Sequence, residues 1–580
     1  MRFVFRFKKL IPIEKAVSLL LENVTQKSEI EYVEVDKAID RVVGKSLYAK
    51  IDVPKFDRAR RDGFAVRLED ISLASESRPI VLKISGYSKT GHPYRKSIDR
   101  GEAVRIDTGA VVPPRAEAVV PIEYCSEDDS YVRVYKAVSL GENIQWAGSD
   151  IRKGELIIQK GTLITLRHVG AMSAVGYVRI PVIKKPRIAL FSIGDELVNI
   201  GQTLSLGKIY DINIHTIASY IKKLGCEPVC LGIAKDSKED ILQKIQEGIK
   251  KSDLIISTGG SSVGQSDFIR SVVEDLNAKI LFHGVMSKPG KPVLAARIGN
   301  RIYIGLPGNP TSAIISYMLY VEPIVRRMLG IKIMHKEKIT TRLYKREFGE
   351  KGRRTYKTVI IKQSEKNYVC EFLPGASESI TTLSKADGYF VIKEDEDFID
   401  EGTIVDVYVF DGVLQQSDII VVGFYSPSIL RILVDFADRK GLRLKYVSKR
   451  NSGALLSIEN NIADIAILTN STNYDVAVKY EVSILGKDNS PKVCSAFMSI
   501  PKYTIEHVGS HQSAIFRYIE GYVESIAIPS EFIPLYNLNR SEEKDRWLTN
   551  LYIKFNPGFP YKQEVQKEIL RKFLSAKVKI

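Results

Sequence analysis

The spacing of apolar and polar residues changes several times along the chain, and each change predicts a different kind of element. Residues 11–183 mix a helical stretch with many short strands. Residues 14–22 (EKAVSLLLE) set apolar side chains at the spacing of one helix face. After them come β-branched runs such as 81–84 and 131–135, cut by glycine and proline turns. From 184 to 329 the texture becomes regular strand–helix alternation. Residues 187–193 (RIALFSI) are a continuous apolar run, as in a strand buried on both faces. A helix is predicted over 215–224, with Asp211 and Asn213 as capping candidates. A strand at 229–233 and an amphipathic helix at 238–251, capped by Ser237, come next. Residues 253–258 form another strand that runs into a glycine-rich loop, 259–264, and Ser266 is placed to cap the following helix. A strand at 301–306 and a helix at 310–329 complete the series. Repeated βα units predict a parallel sheet with helices on both faces, a doubly wound α/β domain. Residues 330–412 return to short strands, with a hairpin-like turn near Gly349, and read as a small β-domain. A polar seam at 414–417 leads into a last α/β segment, 418–580.

Ligands on parallel α/β sheets sit at the carboxyl ends of the strands, and the informative loops fall there. SIGDEL (192–197) places Asp195 and Glu196 just after a strand. GGSSVGQSD (259–267) offers backbone amides, hydroxyls and Asp267, and GLPGNPTSA (305–313) follows a third strand. SKPGKP (287–292) holds Lys288 and Lys291 between prolines and a glycine. Glycines let the backbone approach an anion, and helix N-termini aim N–H donors at it. Lysines add point charge, and carboxylates beside a phosphate site suit Mg²⁺, which takes oxygen ligands. Taken singly, each loop has a plainer reading. The glycine pair is a turn, the prolines stiffen turns, and Asp195 and Glu196 sit well near a helix dipole. Three such loops at one end of one sheet point to a metal-assisted site for a phosphorylated ligand. No GxxxxGK[ST] occurs and no GxGxxG follows a strand, so P-loop and Rossmann readings fail.

Composition narrows the picture further. A chain of 580 residues predicts about three to five domains. Apolar residues at 44% and charged residues at 27% exclude a disordered or fibrous protein. The formal net charge of +16 favours anionic partners without choosing among them. The charged run 336–354 reads as solvated surface, and no base-reading module supports a nucleic-acid partner. Five cysteines without a CxxC pair indicate neither a disulfide framework nor a zinc ribbon and fit a reduced cytoplasm. Cys226 and Cys230 are four apart, but Pro228 between them breaks any shared helix face. No apolar run approaches the roughly 20 residues of a membrane helix.

The motifs RRDGFAV (60–66), RIDTGAVVP (105–113), AGSDIRKGE (147–155), SIGDEL, IYDIN (209–213), GGSSVG, FHGVMSKPGKP (282–292) and GLPGNPTSA occur in this order. Together they resemble the molybdopterin molybdenumtransferase family over about residues 10–412. The resemblance implies a cytoplasmic homodimer that inserts molybdate or tungstate into adenylylated molybdopterin, with Mg²⁺ and release of AMP. It implies a linker and dimerisation domain from 8–26 plus 146–183, and a β-rich domain at 27–145. An α/β molybdopterin-binding domain at 184–329 and a small β-barrel domain at 330–413 follow. Carried over by position, Asp62, Thr108 and Asp150 come from the β-rich side of one subunit and face the α/β domain of the other. Glu196 and Asp267 are the acidic residues of that domain and the candidate Mg²⁺ ligands. Gly259, Gly260, Ser261, Lys288, Lys291, Pro307, Asn309 and Pro310 shape the substrate site.

The chain departs from the family pattern at several positions. Gln145 stands where an arginine is usual, Ile212 where a serine is usual, and Arg61 and Ser287 each replace a methionine. Arg61 is a candidate to restore the charge lost at Gln145. These changes leave open an alternative, a non-catalytic relative that binds or senses molybdopterin or an oxyanion. Residues 418–580 resemble the periplasmic-binding-protein-like domain fused to some archaeal members, on IIVVGFYSPSILRILVDFA and SGALLSIENNIADIAILTN. Tyr425 and Ser426 stand where that domain often has a His-Asp pair. Ser426–Ser428, Ser452, Ser510–Ser513 and Thr469–Ser471 sit where they can bind an oxyanion or simply cap helices.

Overall fold

The computed structural model describes residues 10–27, 29–260, 266–331, 337–364, 367–373, 379–469, 471–472, 474–486, 492–495, 504–507, 511–519, 525–529, 535, 538 and 543–575. The amphipathic stretch near the start forms the helix Ile13–Glu22, which buries Ile13, Ala16 and Leu20 against the central domain. The β-rich region holds a six-stranded sheet in the order Ala118–Pro121, Gly63–Val66, Glu102–Ile106, Ile80–Ser88, Tyr131–Val134, Cys125–Glu127. The Gly63–Val66 strand is buried along its whole length. A Cβ on Gly63 would lie 1.9 Å from the Val120 carbonyl oxygen, so close strand pairing fixes glycine in the DGFAV run.

The central domain carries a six-stranded sheet in the order Glu227–Ala234, Arg187–Ile193, Leu254–Gly259, Arg301–Leu306, Leu294–Ile298, Lys279–His283. The first four strands are parallel, and the two faces bury separate apolar clusters under the helices. The all-parallel expectation needs correction at one edge. Leu294–Ile298 runs antiparallel to Arg301–Leu306, and Lys279–His283 runs antiparallel to Leu294–Ile298. Only Gly299 and Asn300 separate Ile298 from Arg301, and so short a link can only reverse the chain. The reversal matters for the site. It puts the turn between His283 and Leu294, which carries both lysines, at the carboxyl end of Arg301–Leu306.

Ser237 caps the helix Lys238–Lys251 by accepting from the Asp240 N–H at 3.2 Å. Asp211 caps Asn213–Lys223 through Ile214 N–H at 3.2 Å. Asn213 does not cap. Its side-chain amide donates to the Gly308 carbonyl at 2.6 Å and ties that helix to the LPGNP loop. The stretch predicted as one helix over 310–329 is Pro310–Ser316 and Glu322–Leu329 joined by a π-turn at Tyr317–Val321. Gly330 ends it in the left-handed conformation.

The small β-domain is built on Lys338–Leu343, Arg354–Ser364, Asn367–Phe372, Gly388–Ile392 and Ile404–Val409. Ser287–Lys288 of the central domain joins its sheet by pairing parallel to Arg354–Thr355. After residue 418, Ile419–Gly423 is flanked in parallel by Leu444–Ser448 and Ile465–Leu468, and Glu543–Phe555 continues the sheet antiparallel. Among the described residues, no helix is long and apolar enough to cross a membrane.

Candidate functional site

A cleft of about 1060 Å³ opens where the carboxyl ends of the central strands meet the small β-domain. Each loop singled out in the sequence reaches it for a local reason. The strand Arg187–Ile193 ends at Gly194, and the Glu196 carboxyl folds back over that glycine into the cleft wall. Leu254–Gly259 ends on Gly259 and Gly260, both at positive φ and both lining the cleft. A Cβ on Gly259, at φ +92°, would lie 2.2 Å from the Ile193 carbonyl oxygen. Gly259→Ala is therefore expected to cost about 3 kcal/mol of folding stability, read by urea unfolding. Arg301–Leu306 leads to Pro307, Asn309 and Pro310, again in the wall. Lys288 and Lys291 come from the antiparallel turn.

Of the remaining candidates, Ser261 lies outside the described residues, and so does the side chain of Asp267, whose backbone is in the helix Ser266–Asp275. Asp62, Thr108 and Asp150 do not line the cleft of their own chain. They sit exposed in and beside the β-rich domain. Asp62 accepts from the Thr108 backbone N–H at 2.6 Å, and that bond holds its carboxyl below the usual aspartate range. Gln145 accepts from Arg58 Nε at 2.9 Å. The Arg58 guanidinium thus stands beside Gln145, the position where the resemblance leads one to expect an arginine.

Two contributions escaped the sequence reading. Asp211 is 2% exposed and lines the cleft, and its Oδ2 has no hydrogen-bond partner among the described residues. A buried, unpaired carboxylate oxygen carries a large cost unless a cation or donor meets it. Its signal was present as the aspartate of IYDIN, but a capping role accounted for it. The second contribution comes from the small β-domain: Arg353, Thr355, Lys357, Phe372 and Thr382 form the opposite wall. The reading of 336–354 as solvated surface is thereby corrected at its end. Pairing of Lys288 with Thr355 draws that part of the run into the cleft. Burial lowers the Arg353 pKa from its usual value. Arg353 is paired with Glu350, which also bonds Lys288 at 3.0 Å.

Among the described residues, no group of three or more His, Cys, Asp or Glu is placed to hold a metal by itself. Glu196 and Asp211 nevertheless lie on neighbouring segments. The Ile209 N–H donates to the Glu196 carbonyl at 2.8 Å, two residues before Asp211. Two hard oxygen donors, one of them buried with an unpartnered oxygen, fit a cation that completes its shell with water and phosphate oxygens.

Comparison with known proteins agrees with this architecture. Residues 11–176 match the MoeA N-terminal region (domain I and II), 189–327 match the probable molybdopterin binding domain, and 340–410 match the MoeA C-terminal region (domain IV). The molybdopterin molybdenumtransferase of Haemophilus influenzae is 30% identical over 324 residues, 56% of this chain and 79% of that protein. The chain belongs to the molybdopterin molybdenumtransferase family. A putative molybdopterin biosynthesis protein of Methanocaldococcus jannaschii is 30% identical over 414 residues, 69% of this chain and 98% of its own. The crystal structure of a molybdopterin biosynthesis MoeA protein from Pyrococcus horikoshii is 34% identical, with a TM-score of 0.64 over 70% of this chain and 100% of that one. Membership makes the chain a transferase of molybdenum cofactor biosynthesis, and the family matches end at residue 410, before the C-terminal module. In that module Ser426 Oγ accepts from the Ile429 N–H at 3.4 Å, the geometry of a helix cap. Asn451 Oδ1 accepts from the Thr469 N–H at 3.2 Å, and Ser510 lies outside the described residues.

Proposed function

We propose that the cleft binds adenylylated molybdopterin and molybdate, or tungstate, and that the chain joins them with release of AMP. The observation that carries this reading is the sorting of charge in one cleft. Lys288, Lys291 and Arg353 line it together with the buried carboxylate of Asp211 and with Glu196. Cations serve the phosphate and the oxyanion, and oxygen donors serve a divalent ion. The reaction asks little covalent work of the protein. Dithiolene sulfurs displace oxygens on the oxyanion, which leave as water, while a water molecule cleaves the phosphoanhydride and releases AMP, so positioning and charge neutralisation dominate.

Glu196 and Asp211 would hold Mg²⁺, with Asp267 as the third candidate. Bound there, the ion would neutralise charge on the departing phosphate. The lysines and Arg353 hold the anionic reactants against each other. Gly259 and Gly260 let the backbone approach the ligand, and Pro307 and Pro310 hold the loop bearing Asn309 rigid. A homodimer brings Asp62, Thr108 and Asp150 of a second copy to the open side of the cleft. Asp62, kept ionised by the Thr108 N–H, then positions water or metal there.

The test uses purified full-length chain with adenylylated molybdopterin, Mg²⁺ and molybdate. AMP release in step with molybdate consumption is expected; ligand binding without AMP would select the non-catalytic alternative. One substitution has an unusual expected sign. Glu350 holds Lys288 and Arg353 much as an anionic ligand would, while its turn is pinned through the backbone by Thr355 Oγ1 at 3.1 Å. Glu350→Gln is expected to tighten molybdate binding about threefold, measured by calorimetry.

A further inference from the structure

The C-terminal module is not loosely tethered. Tyr344, Ile360 and Leu373 of the small β-domain share one apolar cluster with Ile420, Val422, Val447, Ile458 and Leu468 of the module. Three ion pairs cross the same boundary. Lys362 meets Asp464 at 2.7 Å, Lys445 meets Asp387 at 2.7 Å, and Lys449 meets Glu371. All six side chains are 15% exposed or less. Buried pairs of this kind add little net stability over an apolar contact, but they demand one relative placement of the groups they join.

Their positions along the chain give them a second meaning. Each segment of the small β-domain that lines the cleft lies within nine residues of one of these anchors. Thr355–Thr358 precede Lys362 on the same strand, Phe372 adjoins Glu371, and Ile380 and Thr382 lead to Asp387. Asp387 is a junction in its own right. One carboxylate oxygen takes Lys445, the other accepts from the Ile361 N–H at 2.8 Å, and its backbone N–H donates to the Val359 carbonyl at 2.8 Å. In the cleft wall, Lys357 stacks 4.3 Å over the Phe372 ring and pairs with Glu347 at 3.1 Å.

We propose that the C-terminal module positions the small-β-domain wall of the cleft, with Lys362–Asp464, Lys445–Asp387 and Lys449–Glu371 as positioning pairs. The module is then part of the catalytic unit, and a shift of the module moves Lys357, Phe372 and Thr382 relative to the lysine turn. The effect on catalysis rests on the function proposed above; the effect on the wall does not.

The experiment compares the full chain with Lys445→Met and with the double variant Glu371→Gln/Lys449→Met, which leaves neither charge buried alone. Hydrogen exchange at 355–358 and 380–382 is expected to quicken, while the Arg187–Ile193 strand stays protected. KM for molybdate is expected to rise about tenfold with kcat nearly unchanged. Lys449→Arg, which retains the charge, should restore most of both. Lower melting temperature with wild-type exchange in these segments and wild-type KM would overturn the proposal and leave a purely structural interface. If the wild-type chain releases no AMP, the functional reading fails alone, and the exchange data still decide whether the module sets the wall. Should Lys445→Met fail to fold, the double variant carries the decision. If both fail, the double variant Lys362→Met/Asp464→Asn carries it, because asparagine keeps an oxygen for the Ile420 N–H: exchange and KM both unchanged would overturn the proposal, and a rise in both would support it.

Discussion

Replacing Asp211 with asparagine is expected to cut AMP release about a hundredfold and to raise the Mg²⁺ concentration needed for half-maximal rate. Asparagine keeps an oxygen for the Ile214 N–H, so the helix cap survives and the fold is little disturbed. What it removes is charge on an oxygen that is buried, belongs to a residue lining the cleft and has no partner among the described residues. Glu196→Gln should act in the same direction, more weakly, because Glu196 is exposed and water can replace part of its contribution. Initial rates across a Mg²⁺ titration measure both. A loss of rate with an unchanged Mg²⁺ midpoint would show that Asp211 serves catalysis without holding the ion.

The second large effect belongs to the lysine turn. Lys291→Met is expected to lower kcat/KM for molybdate about a hundredfold, which corresponds to about 2.7 kcal/mol of transition-state stabilisation. The turn itself should persist. The Val285 N–H donates to the Lys291 carbonyl at 3.0 Å, and the backbone bond does not depend on the side chain. Lys288→Met should act in the same direction, with Glu350 already offsetting part of the Lys288 charge. Steady-state kinetics with molybdate varied at fixed adenylylated molybdopterin separates the two.

The sequence made the site legible where a local pattern carried the chemistry. Glu196, Gly259 and Pro307 each follow a strand of the repeated strand–helix alternation that marks a parallel sheet, so their loops are bound to fall at one end of it. The lysine turn is recognisable as a candidate anion-binding loop, but its approach to the cleft is not. The antiparallel edge depends on a two-residue link after Ile298, which interrupts an otherwise regular βα rhythm. Capping explains one oxygen of Asp211, and only the folded structure reveals that the other is buried and unpaired among the described residues. Arg353 belongs to a highly charged run, and its place in the cleft follows from the parallel pairing of Ser287–Lys288 with Arg354–Thr355, a contact between residues far apart in sequence. Arg58 beside Gln145 is of the same kind. Long-range pairings of this sort leave little trace in local composition.

The most direct test of the account is a crystal structure of the full chain with adenylylated molybdopterin and Mg²⁺. The account predicts the AMP-linked phosphates and the ion inside the cleft, with the ion against the Asp211 and Glu196 carboxylates and with Lys288, Lys291 or Arg353 within hydrogen-bond distance of anionic oxygens. Ligand density away from this cleft, or an ion held without either carboxylate, would contradict it.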